Sequence, residues 1–204
     1  MRPTDWLAWY EQHADTYAQV TQASGPVAAR DAFMAMLEPG ARVVDVGCGA
    51  GRDLSAFRAA GFEACGVDAS PRLATHAEAH SGATVHVGRF ESWVRDHAGS
   101  FDGVWACGLL VHTPCSALEG AFVSLREALK ERGVLWASVR VGQEGEPDDR
   151  GRYACTGPAV RAAAEAAGLS VIRFERHADG LTGADETGRT DWWELWAERG
   201  RGPR

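Results

Sequence analysis

Between residues 42 and 140 the chain alternates short apolar runs with longer segments of helical periodicity. The runs are "RVVDV" (42–46), "EACGV" (63–67), "TVHV" (84–87), "FDGVWA" (101–106) and "GVLWASV" (133–139). Brief apolar stretches rich in valine and aromatic residues predict strands. The intervening pattern predicts helices near 51–60, 71–80, 91–97 and 116–130. Ser70 followed by Pro71 is a good helix start, a hydroxyl cap and then a residue whose fixed φ suits the first turn. Strand–helix alternation at this spacing implies a parallel sheet with helices on both faces.

After residue 140 the pattern changes. "VGQEGEPDDRGRYACTGP" reads as a polar loop, "AVRAAAEAAG" (159–168) as a helix stopped by Gly168, and "LSVIRFER" (169–176) as a strand. A second loop, "HADGLTGADETGR", leads to a last strand, "TDWWELWAER" (190–199), which makes an antiparallel edge with its predecessor. Ahead of the sheet, residues 4–20 read as a helix. Trp6, Trp9, Tyr10, His13 and Tyr17 share one face of it. That face either packs on the core or covers a ligand as a lid, and Tyr and Trp bring polar tips that want partners when buried.

With neither repeat nor linker, residues 1–204 read as one domain. Its parts are an N-terminal helical segment (1–30), the alternating core (40–140), loops with the last strands (141–199), and a tail (200–204). The net charge of −7 argues against nucleic acid as a partner. No apolar run is long enough for a membrane span, and residues 1–17 lack the layout of a signal peptide, so a cytoplasmic protein, monomer or homodimer, is expected. Cys48, Cys65, Cys107, Cys115 and Cys155 are scattered and odd in number, which reads as free thiols. His76 and His80 are four apart on a helix but have no evident third ligand, so no metal site is expected.

The chemistry concentrates in "VVDVGCGAGRDLSAF" (43–57). In an open parallel sheet, ligands bind beyond the carboxyl ends of the strands, where this glycine turn falls. A dinucleotide fingerprint would place a third glycine at position 52, which is arginine. Asp45, Gly47, Gly49 and Gly51 instead resemble motif I of the class I S-adenosylmethionine-dependent methyltransferases. The layout is similar to small bacterial methyltransferases of metabolism and of tellurite resistance. The resemblance covers residues 40 to 197 or so and implies an α/β fold, a Rossmann-like, doubly wound seven-stranded sheet, mostly parallel with an antiparallel C-terminal hairpin strand.

It also implies S-adenosylmethionine as cofactor and S-adenosylhomocysteine as product, held by Asp45, Gly47, Cys48, Gly49 and Arg52 at the turn. Asp68 and Ala69 follow the second strand, with Asp68 on the ribose hydroxyls. Arg89 stands where the family often has the adenine-binding aspartate, leaving Phe90 to pack on the ring and Glu91 or backbone groups to read its edge. Ala106 and Cys107 end the fourth strand beside the methionine part, and His112 follows as the candidate base.

The acceptor is expected to be a small molecule with an oxygen, nitrogen or sulfur-type nucleophile. Its candidate contacts are Tyr10, His13, Tyr17, His112, Arg140, Tyr153, Arg189 and Trp192. The [DN]-P-P-[YFW] signature of amino-group methylation on bases does not follow the fourth strand. Two other readings stand beside methyl transfer: a protein of this fold that binds the cofactor without transferring methyl, and a nicotinamide-dependent oxidoreductase, against which Arg52 counts.

Overall fold

The computed structural model describes residues 6–178 and 191–200. Seven strands form one sheet: β1 (Arg42–Val46), β2 (Glu63–Asp68), β3 (Val85–Val87), β4 (Phe101–Ala106), β5 (Leu129–Arg140), β6 (Leu169–Ala178) and β7 (Asp191–Arg199). Their order is β3-β2-β1-β4-β5-β7-β6. β1 to β5 are parallel, and β7 is antiparallel to both of its neighbours. The antiparallel strand therefore lies inside the sheet, and β6 forms the edge.

Among the described residues seven α-helices accompany the sheet: α1 (Trp6–Thr21), α2 (Val27–Ala35), α3 (Arg52–Ala59), α4 (Pro71–Ser81), α5 (Phe90–Trp93), α6 (Leu118–Ala128) and α7 (Gly157–Ala166). Along β5 the side chains alternate between two cores, as the two-residue strand period requires. Leu135 and Ala137 join Phe122 and Leu125 of α6 and Val160 of α7 in one core. Val134 and Trp136 join Phe33 of α2 and Leu54 and Phe57 of α3 in the other. Trp105 stacks on Trp136 at 3.8 Å, and Phe33 and Phe57 close around it. Fully burying each such phenylalanine contributes on the order of 1.5–3 kcal/mol.

The α4 start follows the sequence expectation: the Ser70 hydroxyl accepts the Leu73 N–H at 3.0 Å, with Pro71 in the first turn. Other boundaries shift. The helix expected at 91–97 is α5 followed by a 3-10 turn at Val94–Asp96. The helix expected to reach 130 ends at Ala128, and β5 begins at once, with Arg132 in the left-handed region (φ 63°) where the strand departs from regular pairing. α2 has no counterpart in the sequence reading.

The cysteine expectation is corrected. Cys115 and Cys155 form a disulfide, and Cys48, Cys65 and Cys107 are free. The loop after β5 returns beside the segment after β4 and brings together two cysteines 40 residues apart, a pairing that spacing alone does not announce.

Candidate active site

β1 has neighbours on both sides whose connections leave in opposite directions, so the crevice at its carboxyl end is the natural ligand site. The turn there is held by the next strand: Gly47 and Cys48 donate to the Val67 carbonyl at 2.8 and 3.2 Å. Gly47, Gly49 and Gly51 all have positive φ (70°, 53° and 83°), which side-chain-bearing residues rarely adopt. Their surroundings differ. A Cβ on Gly51 would stand 2.7 Å from Cα of Ala77, so this glycine lets α3 and α4 approach. Gly47 and Gly49 face a cavity, with Leu109 and Tyr17 as their respective neighbours.

Asp68 ends β2 and faces the same cavity. One carboxylate oxygen accepts the Gly49 N–H at 2.8 Å and the other the Ser70 N–H at 2.9 Å. Burial pushes its pKa up, opposed by those backbone donors. Asp68 thus braces the glycine turn, and its two oxygens keep further lone pairs able to accept hydrogen bonds.

Below the turn lies a buried charge cluster. Asp53 pairs with Arg52 at 2.6 Å and Arg30 at 3.0 Å and accepts the Trp105 indole N–H at 3.0 Å. Burial opposes the charge on Asp53, but Arg52, Trp105 and Arg30 outweigh it and hold the carboxyl below its ordinary range. Asp45, also buried, goes the other way, raised by burial and then by the charge of Asp53. Arg52 also donates to Cys107 Sγ at 3.2 Å and to the Ser24 carbonyl at 2.8 Å. Burial pushes the Cys107 thiol up to about 12, so it is uncharged.

At the other end of the cavity stands His112, in a 3-10 turn after β4. Its Nδ1 is 3.3 Å from the Gly151 carbonyl, and its Nε2 3.2 Å from the Tyr10 hydroxyl. A carbonyl only accepts, so Nδ1 carries the proton and Nε2 accepts from Tyr10. Burial lowers the His112 pKa from 6.5 to about 4, against the pull of the Gly151 carbonyl. Burial likewise raises Tyr10 to about 12. Trp6 stacks on the imidazole at 4.7 Å. At neutral pH, His112 therefore presents an uncharged ring with its lone pair on Nε2.

The cavity between these ends measures about 410 Å³. It brings together Gly47, Gly49, Asp68, Ala69, Arg89, Phe90, Glu91 and Cys107 with Tyr10, His13, Tyr17, His112 and Trp192. Arg89 turns aside to Glu91 at 3.3 Å. Asp45, Cys48 and Arg52 line a smaller recess beneath the turn, and Ala106 is enclosed in the core. Arg140 pairs with Asp148 at 2.7 Å and does not line the cavity. Nor does Tyr153, whose N–H donates to the Val111 carbonyl at 2.6 Å. Arg189 lies outside the described residues.

The sequence reading missed Trp6, Trp9, Leu109, Arg150 and Arg152 as cavity residues. The two tryptophans were visible in the aromatic stripe. The arginines sit in an irregular loop whose path only the fold determines. α1 lies over the cavity and is tied to the start of α4: Asp15 meets Arg72 and His76, each at 2.8 Å. Glu11 accepts from Ser70 Oγ and from the Arg72 N–H.

Sheet order, glycine turn and acid-ended second strand define a Rossmann-like α/β fold with its ligand crevice at the carboxyl end of β1. Residues 43–133, a little under half of the chain, match the family described as "Methyltransferase domain", and the similar proteins and solved structures support a class I S-adenosylmethionine-dependent methyltransferase. A ubiquinone biosynthesis O-methyltransferase of Xanthomonas axonopodis pv. citri is 38% identical over 112 residues, covering 52% of this chain and 46% of that protein. The chain thus spans about half the length of the curated relatives it matches. Among solved structures, the 1,6-didemethyltoxoflavin-N1-methyltransferase of Burkholderia thailandensis, with S-adenosylhomocysteine bound, is similar at TM-score 0.73 and 20% identity. That likeness covers 98% of this chain and 87% of the other. A TehB-like methyltransferase of Corynebacterium glutamicum is similar at TM-score 0.70 and 19% identity, covering 94% and 98%.

Proposed function

We propose that this protein transfers a methyl group from S-adenosylmethionine to an oxygen of a small-molecule acceptor. The observation that carries this reading is one cavity reaching from the Gly47–Gly49 turn and Asp68 to the unprotonated Nε2 of His112, which accepts from the Tyr10 hydroxyl. The residues fit the cofactor. Side chains on Gly47 or Gly49 would enter the space beside the turn, and a braced Asp68 suits a ribose diol. Phe90 offers an apolar surface and Glu91 an acceptor for the adenine end.

When bound, S-adenosylmethionine supplies a methyl group already activated on a sulfonium. The chain's remaining work is alignment, water exclusion and one proton. Holding reactants at ~3–3.5 Å in line removes several kcal/mol of barrier. Trp6, Tyr10 and Tyr17 of α1 cover the site from solvent, and Nε2 of His112, exchanging its hydrogen bond from Tyr10 for one from the acceptor, receives the acceptor's hydroxyl proton as its oxygen takes the methyl. A neutral imidazole suits this step, because a cation there would oppose the approach of the sulfonium.

The naming of the curated relatives as O-methyltransferases supports oxygen as the nucleophile. Calorimetry with S-adenosylhomocysteine tests the donor half, with one site per chain expected and no heat with NADH. Product formation from S-adenosylmethionine with hydroxylated acceptors tests the transfer. Cofactor binding with no turnover on any acceptor would favour a non-methylating role.

A further inference from the structure

The far end of the cavity is walled by aromatic rings and carries two guanidinium groups, which are in different circumstances. Arg152 is neutralised by Asp148, which accepts its Nε at 2.9 Å and its Nη2 at 2.8 Å. Burial works against the charge on Asp148, but Arg152 and then Arg140 hold its pKa down to about 2, so the carboxylate stays ionised. Arg150 is placed otherwise. Its guanidinium carbon stands 5.2 Å over the Trp9 ring, and among the described residues no carboxylate bonds its side chain. Asp148 accepts only its backbone N–H, at 3.0 Å.

A guanidinium stacked on an indole is held in place by its face while its N–H donors point outward in the plane, a fork suited to a carboxylate. The whole chain, at −7, repels anions at long range. An uncompensated guanidinium in an aromatic-lined cavity is a local exception to that field. The same cavity is lined by Trp6, stacked on His112, and by Leu109, and its hydrogen-bonding pair is His112 with Tyr10. The cavity therefore offers apolar walls, one cation and one proton acceptor.

We propose that the acceptor is a hydroxylated aromatic carboxylate, its acid group docked on Arg150 and its hydroxyl directed to His112. The inference rests on the methyl-transfer reading of the same cavity. It makes Arg150 a specificity-determining residue without a part in the chemical step.

The test is calorimetric titration of the full chain, loaded with S-adenosylhomocysteine, with 4-hydroxybenzoate and with phenol. The acid should bind at least tenfold more tightly, with 1:1 stoichiometry. Arg150→Gln should remove that advantage and Arg150→Lys, which keeps the charge but loses the fork, should retain part of it. S-Adenosylhomocysteine affinity, measured in each variant, verifies that the variant is folded. Equal affinities in the wild type, a preference that survives Arg150→Gln, or binding of neither probe would overturn the proposal. A wild-type protein that takes up no S-adenosylhomocysteine would fail at the earlier step, overturning the donor reading and this inference with it.

Discussion

Gly49 and Gly51 stand two residues apart in one turn, yet a methyl group added to each meets different company. At Gly51 it meets the backbone of α4 at 2.7 Å, and at Gly49 only the edge of Tyr17 at 3.5 Å. Both substitutions carry roughly 1–2 kcal/mol for positive φ. Gly51→Ala adds overpacking of about 1–3 kcal/mol. Gly51→Ala should therefore lower the melting temperature more than S-adenosylhomocysteine affinity, and Gly49→Ala the reverse, as melting curves and calorimetry on both variants will establish. His112→Ala should slow transfer by roughly 10²–10⁴-fold if its Nε2 takes the proton. The acid limb of wild-type kcat/KM should then fall near pH 4, where Nε2 becomes protonated, and not near the ordinary histidine value of 6.5. A limb left in place in a His112 variant that still turns over would count against that role. The need for glycines was legible in the sequence, since a run of them after an apolar strand has few other uses. What each glycine makes room for was not, because one neighbour comes from α4 and the other from α1.

At the scale of elements, the strands announced themselves because a doubly covered sheet demands short apolar runs, and these lie between glycine-rich turns. α2 escaped notice because only Ala29 and Phe33 of it are buried, too few for a clear period. The loop from Val141 to Thr156 was legible as a loop beside the acceptor pocket, but not which of its residues line the cavity: Arg150 and Arg152 do, and Tyr153 does not. Its position follows from the Cys115–Cys155 bond, the Tyr153 N–H to Val111 contact and the Val141–Cys155 bridge, all long-range. The disulfide closes a separation of 40 residues, for which chain entropy gives a stabilisation of about 4 kcal/mol. Reductant, or Cys115→Ser with Cys155→Ser, should lower the melting temperature accordingly. The bond lies three residues from both His112 and Arg152, so the loss should also blunt turnover more than cofactor affinity. A melting temperature indifferent to reductant, with both thiols then titratable, would show that the backbone contacts suffice.

For the whole molecule, acid stability follows from what is buried at the cavity. His112 has a folded pKa of about 4 against 6.5 when unfolded, so between those values the unfolded chain binds more protons. Its contribution to stability is complete above pH 6.5 and is lost as pH falls toward 4. The raised carboxyls of Asp45 and Asp68 act with the opposite sign, weakening the fold as pH rises through their windows. Chemical denaturation of wild type and His112→Asn at pH 7 and pH 5 isolates the histidine: the variant should lose less stability between the two. The sheet order carries a consequence of another kind, in time. β7 lies between β5 and β6 although it follows both in the chain. During synthesis β6 has no strand to pair with, and the flank of β5 stays bare, until residues 191–199 emerge. Completion of the sheet is then an insertion between two waiting strands. A nascent chain arrested before that point would display two open edges, the form most prone to pair with another copy and the one a chaperone would be called on to shield.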